Sequence, residues 1–229
     1  FWVAYRLGPA SFVGLKLVLL LHECVSALLL EALLRRGEDT PPLLAVAYAW
    51  SPLAVVQLQA GAHLDGLLVP WCLLAVLLAG RGRPVLAGLA LAAATMVRPL
   101  MVLCLPALVG RRSTRQGLAV VGSYMLLCGA LVAPLAGAGR GLVQSLWTYA
   151  RHWRFNGSLF RLAEAALGRR RWLRPALYGA VGVGSLAAAR APAPLPARML
   201  LALGIYFAFA PTVYPWYLVP VAALGALYP

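Results

Sequence analysis

The stretch 85–110, VLAGLALAAATMVRPLMVLCLPALVG, decides the fold. It is apolar enough to form one membrane span, which takes about 20 helical residues. Arg98-Pro99 nevertheless interrupts its middle. Read as a broken hairpin, the chain crosses over 84–97, turns at Arg98-Pro99 and returns over 100–109. Each leg is then only about 15–20 Å long at about 1.5 Å per residue, so the turn lies below the far surface. Arg81 and Arg83 bracket the stretch on one side and Arg111, Arg112 and Arg115 on the other. That favours a hairpin with both ends cytoplasmic, because basic residues concentrate there. The residue before a proline avoids the α region, which also suits a break at Arg98.

Working outward, the chain is 62% hydrophobic with a mean hydropathy of +0.83, the balance of a membrane protein. The runs 11–34, 67–79 and 117–135 span or nearly span a bilayer. They are continuous rather than alternating, which excludes a transmembrane β-barrel. Helices remain as the way to satisfy the backbone in lipid. The predicted fold is all-α: a polytopic transmembrane bundle of about 7–9 membrane segments, including the broken hairpin, plus interfacial amphipathic helices. A single transmembrane domain over 1–229 is expected.

The first helix is expected over about 9–34, and the second over about 43–59 with a kink at Trp50-Ser51-Pro52. The third covers about 67–79, and another about 116–135. A polar loop follows over 137–171 with two amphipathic pieces, 142–152 and 158–167. Spans then come at about 172–189 and 198–210. The chain starts at Phe1 without Met or a basic n-region and stops in apolar sequence at Pro229, as expected of a piece of a longer protein.

The formal charge is +14, nearly all from Arg, with Lys16 the only lysine. No soluble basic domain exists to hold nucleic acid, so membrane lipid or a phosphorylated lipid is the expected partner. Cys24, Cys72, Cys104 and Cys128 form no CxxC or zinc pattern and read as core residues.

Between two apolar stretches stands Gly61-Ala62-His63-Leu64-Asp65-Gly66. Ionisable groups there are costly and therefore functional candidates. His63 and Asp65 diverge on a helix but converge on a glycine-flanked turn, where they suit proton transfer or hydroxyl contact. The bland alternative is Asp65 as the cap of the third helix. Arg98 suits a phosphate or a developing negative charge, or else pairs with Glu23 or Asp65. In Arg151-His152-Trp153-Arg154-Phe155-Asn156 the arginines suit phosphate and the rings a sugar or isoprenoid; the alternative is an interfacial anchor. Tyr214-Pro215-Trp216-Tyr217 carries the same two readings. His22-Glu23, with Lys16 on a similar face, reads as a buried structural network. No convincing metal set exists.

Topology stays open on these grounds. The hairpin gathers every unusual polar residue at one non-cytoplasmic face but leaves the arginines of 137–171 outside, and a single span obeys the charge rule but splits the motifs.

In order, Trp50-Ser51-Pro52-Leu53, Gly61-Ala62-His63-Leu64-Asp65, Arg98-Pro99-Leu100 with Leu105-Pro106, Trp153-Arg154-Phe155-Asn156 and Tyr214-Pro215-Trp216-Tyr217-Leu218 resemble the GT-C membrane glycosyltransferases. The nearest likeness is to bacterial mannosyltransferases that use polyprenyl-phosphate-mannose. There an Asn-Pro-Leu-like kink precedes a Gly-His-x-Asp-like element, a Lys- or Arg-Pro turn follows, and a Pro-Trp-Tyr element closes the region. Here Ser51 replaces the common Asn.

The resemblance implies the hairpin topology, with 137–171 an extracytoplasmic interfacial loop and the site on the outer face of a bacterial plasma membrane. It implies inverting transfer of a sugar, mannose by expectation, from a polyprenyl-phosphate donor to a glycan or glycolipid acceptor. His63 and Asp65 would be catalytic. Arg98, Arg151, His152, Trp153, Arg154, Asn156, Tyr214, Trp216 and Tyr217 would bind substrate. No cofactor is expected beyond the lipid-linked donor. GT-C enzymes carry their main acidic base in the first loop, which is expected ahead of Phe1. The competing classes are a transporter or lipid flippase, which calls for matched broken helices in two halves, and a non-catalytic membrane assembly protein.

Overall fold

A computed structural model describes residues 12–36 and 43–228, with the backbone alone for some residues of 140–152. The expected helix start at 9–11 lies outside these residues. The helices are α1 (Phe12–Leu34), α2 (Leu43–Ala49), α3 (Leu68–Gly80), α4 (Pro84–Val97), α5 (Leu105–Val109) and α6 (Thr114–Val132). They continue with α7 (Arg140–His152), α8 (Ser158–Leu167), α9 (Leu173–Ala188), α10 (Leu195–Phe209) and α11 (Val219–Gly225). Tight helical turns precede α3 (Leu64–Leu67), α5 (Pro99–Cys104) and α11 (Pro215–Leu218), and one follows α6 (Ala133–Ala138). Among the described residues there is no strand, so the fold is an all-α bundle.

The bundle is built for lipid. Phe12, Leu21 and Leu28 of α1 and Leu118, Met125 and Leu126 of α6 are each 60% or more exposed. Outward faces of large apolar side chains at this density are unusual on soluble monomers. α1 and residues 114–138 are long and apolar enough to cross a membrane, and α2 with Leu53–Ala60 adds a bent pair at 44°. The other apolar helices are shorter, because Pro99, Pro215 and the polar turns cut the runs.

The stretch 85–110 is a hairpin. α4 ends at Arg98, whose backbone is extended at φ −142° and ψ 112°. Past the tight turn Pro99–Cys104, α5 runs back. The return leg ends beside the start of the outward one, since Arg112 Nη2 donates to Ala79 O at 3.2 Å, just ahead of α4. Every leg is short because the turn is buried in protein, where broken helix is tolerated. Leu91, Ala94, Met101, Cys104 and Leu108 are fully or almost fully buried around it.

Close approach of α4 to α6 depends on Gly88, where a Cβ would collide with Val120 O and Ser123 Oγ. At the kink, Ser51 Oγ accepts from Ala54 N at 3.2 Å, capping the segment after Pro52. Asn would offer the same kind of acceptor, so Ser51 preserves the capping chemistry. The segment Leu53–Ala60 is wound wider than an α-helix, with Gly61 N donating to Val56 O, five residues back.

Two expectations are corrected. Lys16 is exposed and makes no network with Glu23; buried Glu23 lies beside Tyr48, and neither carboxylate oxygen has a hydrogen bond among the described residues. Cys24 is exposed on α1 rather than in the core, while Cys72 and Cys104 are buried. The apolar stripe of α8 faces outward, with Leu162 at 65% exposure, and Phe160 is the side chain that anchors the helix to the bundle.

Candidate active site

One end of the bundle collects the turn after the kink, the hairpin tip and the ends of α7 and α10. Residues 61–67 reach it because the wide turn at Leu53–Ala60 runs out at Gly61, where a Cβ would meet Gln57 O at 2.8 Å. Ala62 takes a left-handed φ of 52°. This tight reversal drops Asp65 into the bundle.

Asp65 is not a helix cap. α3 begins without a side-chain cap, and the carboxylate instead accepts from Arg98 Nε at 2.7 Å. Of the two partners offered for Arg98 by the sequence, Asp65 is the one it takes. The Asp65 side chain is 10% exposed and that of Arg98 is 27% exposed. The guanidinium also lies over the Tyr217 ring, 3.8 Å from its centroid. One face of the cation is thus desolvated by an aromatic ring, which strengthens its attraction for carboxylate and ring alike. Asp65 sits outside the helices long enough to cross a membrane. Burial pushes its carboxyl above the ordinary carboxylate range, against the pull of the Arg98 charge.

His63 stacks on Trp216, with centroids 3.7 Å apart and ring planes 15° off parallel. Trp216 in turn stacks on Tyr214 at 4.7 Å, and Tyr214 on Phe155 at 4.5 Å. Four rings therefore form one continuous column joining the 61–66 turn, the 214–217 turn and the 151–156 turn. The two inner rings, Trp216 and Tyr214, each have a neighbour on both faces. The column ends at its rim, where Phe155 is 47% exposed and Trp153, edge-on to Tyr214, is 50% exposed.

Backbone pairing locks this junction. Phe155 N donates to Pro211 O at 3.0 Å, and Val213 N donates to Phe155 O at 2.7 Å. Asn156 turns the chain at a left-handed φ of 54°. Gly157 then passes so close to α10 that a Cβ would meet Ala210 O at 2.9 Å.

Arg151, His152 and Arg154 lie beside the column in a second compartment. With Arg169, Arg170 and Arg174 they line a basic groove of about 600 Å³. Arg154 pairs with Glu164 at 2.9 Å, and Arg151 covers the Trp147 ring at 4.2 Å. The structure thus brings His63, Asp65, Arg98, Tyr214, Trp216 and Tyr217 into one cluster, sets Trp153 and Asn156 at its edge, and puts Arg151, His152 and Arg154 next door.

Two members of this region, Glu164 and Gln59, were not singled out from sequence. Glu164 holds Arg154, and its place as the acidic residue of the amphipathic piece 158–167, ten residues on from Arg154, was the available signal. Thr212 and Gln59 each bury a polar side-chain atom without a hydrogen-bond partner among the described residues. Gln59 is a polar residue late in an apolar run, a signal of the same kind as His63.

Residues 5–112 match the model of the MptA_B family, described as alpha-(1->6)-mannopyranosyltransferase, N-terminal domain. The match covers just under half of the chain and includes the kink, the 61–66 turn and the whole hairpin. It supports a mannosyltransferase of the GT-C type, in line with the likeness of the ordered motifs. No curated protein and no solved structure matches.

Proposed function

We propose, with that mannosyltransferase family match as premise, that the protein moves mannose from a polyprenyl-phosphate donor to a glycan or glycolipid acceptor at the extracytoplasmic face, with inversion. The observation that carries this reading is the meeting of Asp65–Arg98 with the His63–Trp216–Tyr214–Phe155 ring column beside an arginine-lined groove.

Displacement of a lipid phosphate from the sugar builds negative charge on the leaving oxygen. Cations held in a water-poor site stabilise such charge best. Arg98 is already oriented by Asp65 and Tyr217, so it meets that charge without reorganising. Arg151 and Arg154 line the groove where the phosphate of a long isoprenoid donor would rest. Asp65, engaged with Arg98, orients rather than deprotonates, and His63, fixed flat on Trp216, positions the sugar or acceptor hydroxyl. A carboxylate takes the acceptor proton as inversion proceeds. Phe155, at the rim of the column with Trp153 beside it, offers its exposed face to sugar or lipid.

Charge in the short turns supports this sidedness. The opposite end of the bundle carries Arg35, Arg36, Arg81, Arg83, Arg111, Arg112 and Arg115 in short turns, where the positive-inside tendency acts most strongly. Full-length protein in proteoliposomes, given labelled polyprenyl-phosphate-mannose and acceptor, tests the reading. Mannosyl transfer is expected, and movement of the lipid without product would replace it with a transporter. Full transfer by both His63→Ala and Asp65→Ala would remove the roles assigned to those residues.

A further inference from the structure

The end of the bundle away from the candidate active site holds a cavity of about 430 Å³, within the range of small-molecule sites. Arg36, Arg111, Arg112 and Arg198 line it together with Gln116, and among the described residues no carboxylate does. The four arginines come from three places in the fold: the end of α1, the link between α5 and α6 for Arg111 and Arg112, and the first turns of α10. Convergence of four guanidinium groups without a counter-charge is unfavourable in an empty protein.

The groups are held there. Arg112 donates from Nε to Leu108 O at 2.8 Å and from Nη2 to Ala79 O at 3.2 Å. Arg198, only 7% exposed, donates from Nη1 to Ala189 O at 2.9 Å, while its Nε is buried without a hydrogen-bond partner. Arg111 and Arg112 are near enough to repel its charge. Close packing maintains the cluster: a Cβ on Gly110 would meet Ala189 O at 2.8 Å. A buried, unpaired arginine beside three more is the chemistry of an occupied anion site.

We infer that this cavity binds a phosphate group at the membrane face opposite the transfer site. The phosphate comes from an anionic lipid headgroup or from a soluble phosphate, and both present the same oxygens to the guanidinium forks. Such a ligand would cross-link α1, α3, the hairpin and α10.

The test uses full-length protein, with Arg36→Gln/Arg111→Gln as the variant. Both side chains are exposed and make no hydrogen bond to the backbone among the described residues, so folding is retained. Arg81→Gln/Arg83→Gln removes the same charge from the same face outside the cavity and is the control. Native mass spectrometry and melting are read with dioleoyl phosphatidylglycerol against phosphatidylcholine, and with inorganic phosphate against chloride. Expected is retention of phosphatidylglycerol, or stabilisation by phosphate, weakened about tenfold or more in the cavity variant and not in the control. Lipid-selective retention identifies a headgroup, and stabilisation by phosphate alone identifies a soluble ligand. Equal loss in both variants, or no preference for either anion in the parent protein, overturns the inference.

Discussion

Neutralising Asp65 while keeping its shape, as Asp65→Asn, leaves Arg98 over Tyr217 without its carboxylate. Breaking a fully buried ion pair by removing one partner costs about 3–5 kcal/mol. Here the Arg98 side chain keeps 27% exposure and its ring contact, so water and Tyr217 recover part of the loss. About 2–3 kcal/mol is expected for Asp65→Asn on that basis. Arg98→Gln strands a carboxylate that is only 10% exposed, but burial already favours its protonated form, which limits the cost to a similar size. The double variant Asp65→Asn/Arg98→Gln replaces the charged bond by an amide pair, so the two losses do not add; a coupling of about 1.5–3 kcal/mol is expected. Melting in detergent reads the stability part, where 2 kcal/mol corresponds to about 4–8 °C for a chain of this size. Mannosyl transfer reads the functional part. The double variant should recover stability without recovering transfer, because the site then lacks its oriented cation. Additive effects within about 0.5 kcal/mol would refute the direct pair. Recovery of transfer together with stability would show that the pair only holds the fold.

Gly88→Ala places a methyl against Val120 O and Ser123 Oγ, and about 1–3 kcal/mol of destabilisation is expected in a melting experiment; an unchanged midpoint would contradict the close approach of α4 and α6. Ser51→Ala should cost about 0.5–2 kcal/mol while Ser51→Asn stays near the parent, and equal losses would dismiss the capping role. Trp216→Ala removes the ring between His63 and Tyr214 and should abolish transfer, with Trp216→Phe restoring a substantial part; full activity in the alanine variant would dismiss the column. Arg154→Gln breaks a pair whose arginine is 40% exposed, so melting should hardly move while the donor KM rises; a fall in kcat at unchanged KM would count against a donor-binding groove.

Much of this was legible in the chain because membrane helices advertise themselves. Continuous apolar runs, punctuated by Arg81-Gly82-Arg83-Pro84 and Arg98-Pro99, place the helices within a few residues of their observed ends. The hairpin was posed by sequence but not decided by it, since the arginines of 137–171 pulled against both the charge bracketing and the motif grouping. Contact information was needed, and Arg112 reaching Ala79 supplies it. The member residues of the site were legible as well, because polar groups in apolar runs stand out. Their partners were not. Whether Asp65 caps a helix or meets Arg98 depends on the path of the backbone through Ala62, whose left-handed φ no local pattern announces. The ring column was equally hidden, since it joins turns about 60 and 150 residues apart in sequence.

Shortness of the hairpin legs links fold to site. A full span would carry Arg98 out to the headgroups, where a lone arginine is well hydrated and a weak electrostatic partner. Turning early keeps its guanidinium beneath the surface, between Asp65 and the Tyr217 ring. The backbone there departs from helix because the turn packs against α10 and α9, with Tyr217 over Arg98. Pro99 enforces the break, and Asp65 compensates the charge that the break buries. Lengthening either leg by one helical turn would lift the cation about 5 Å away from its carboxylate.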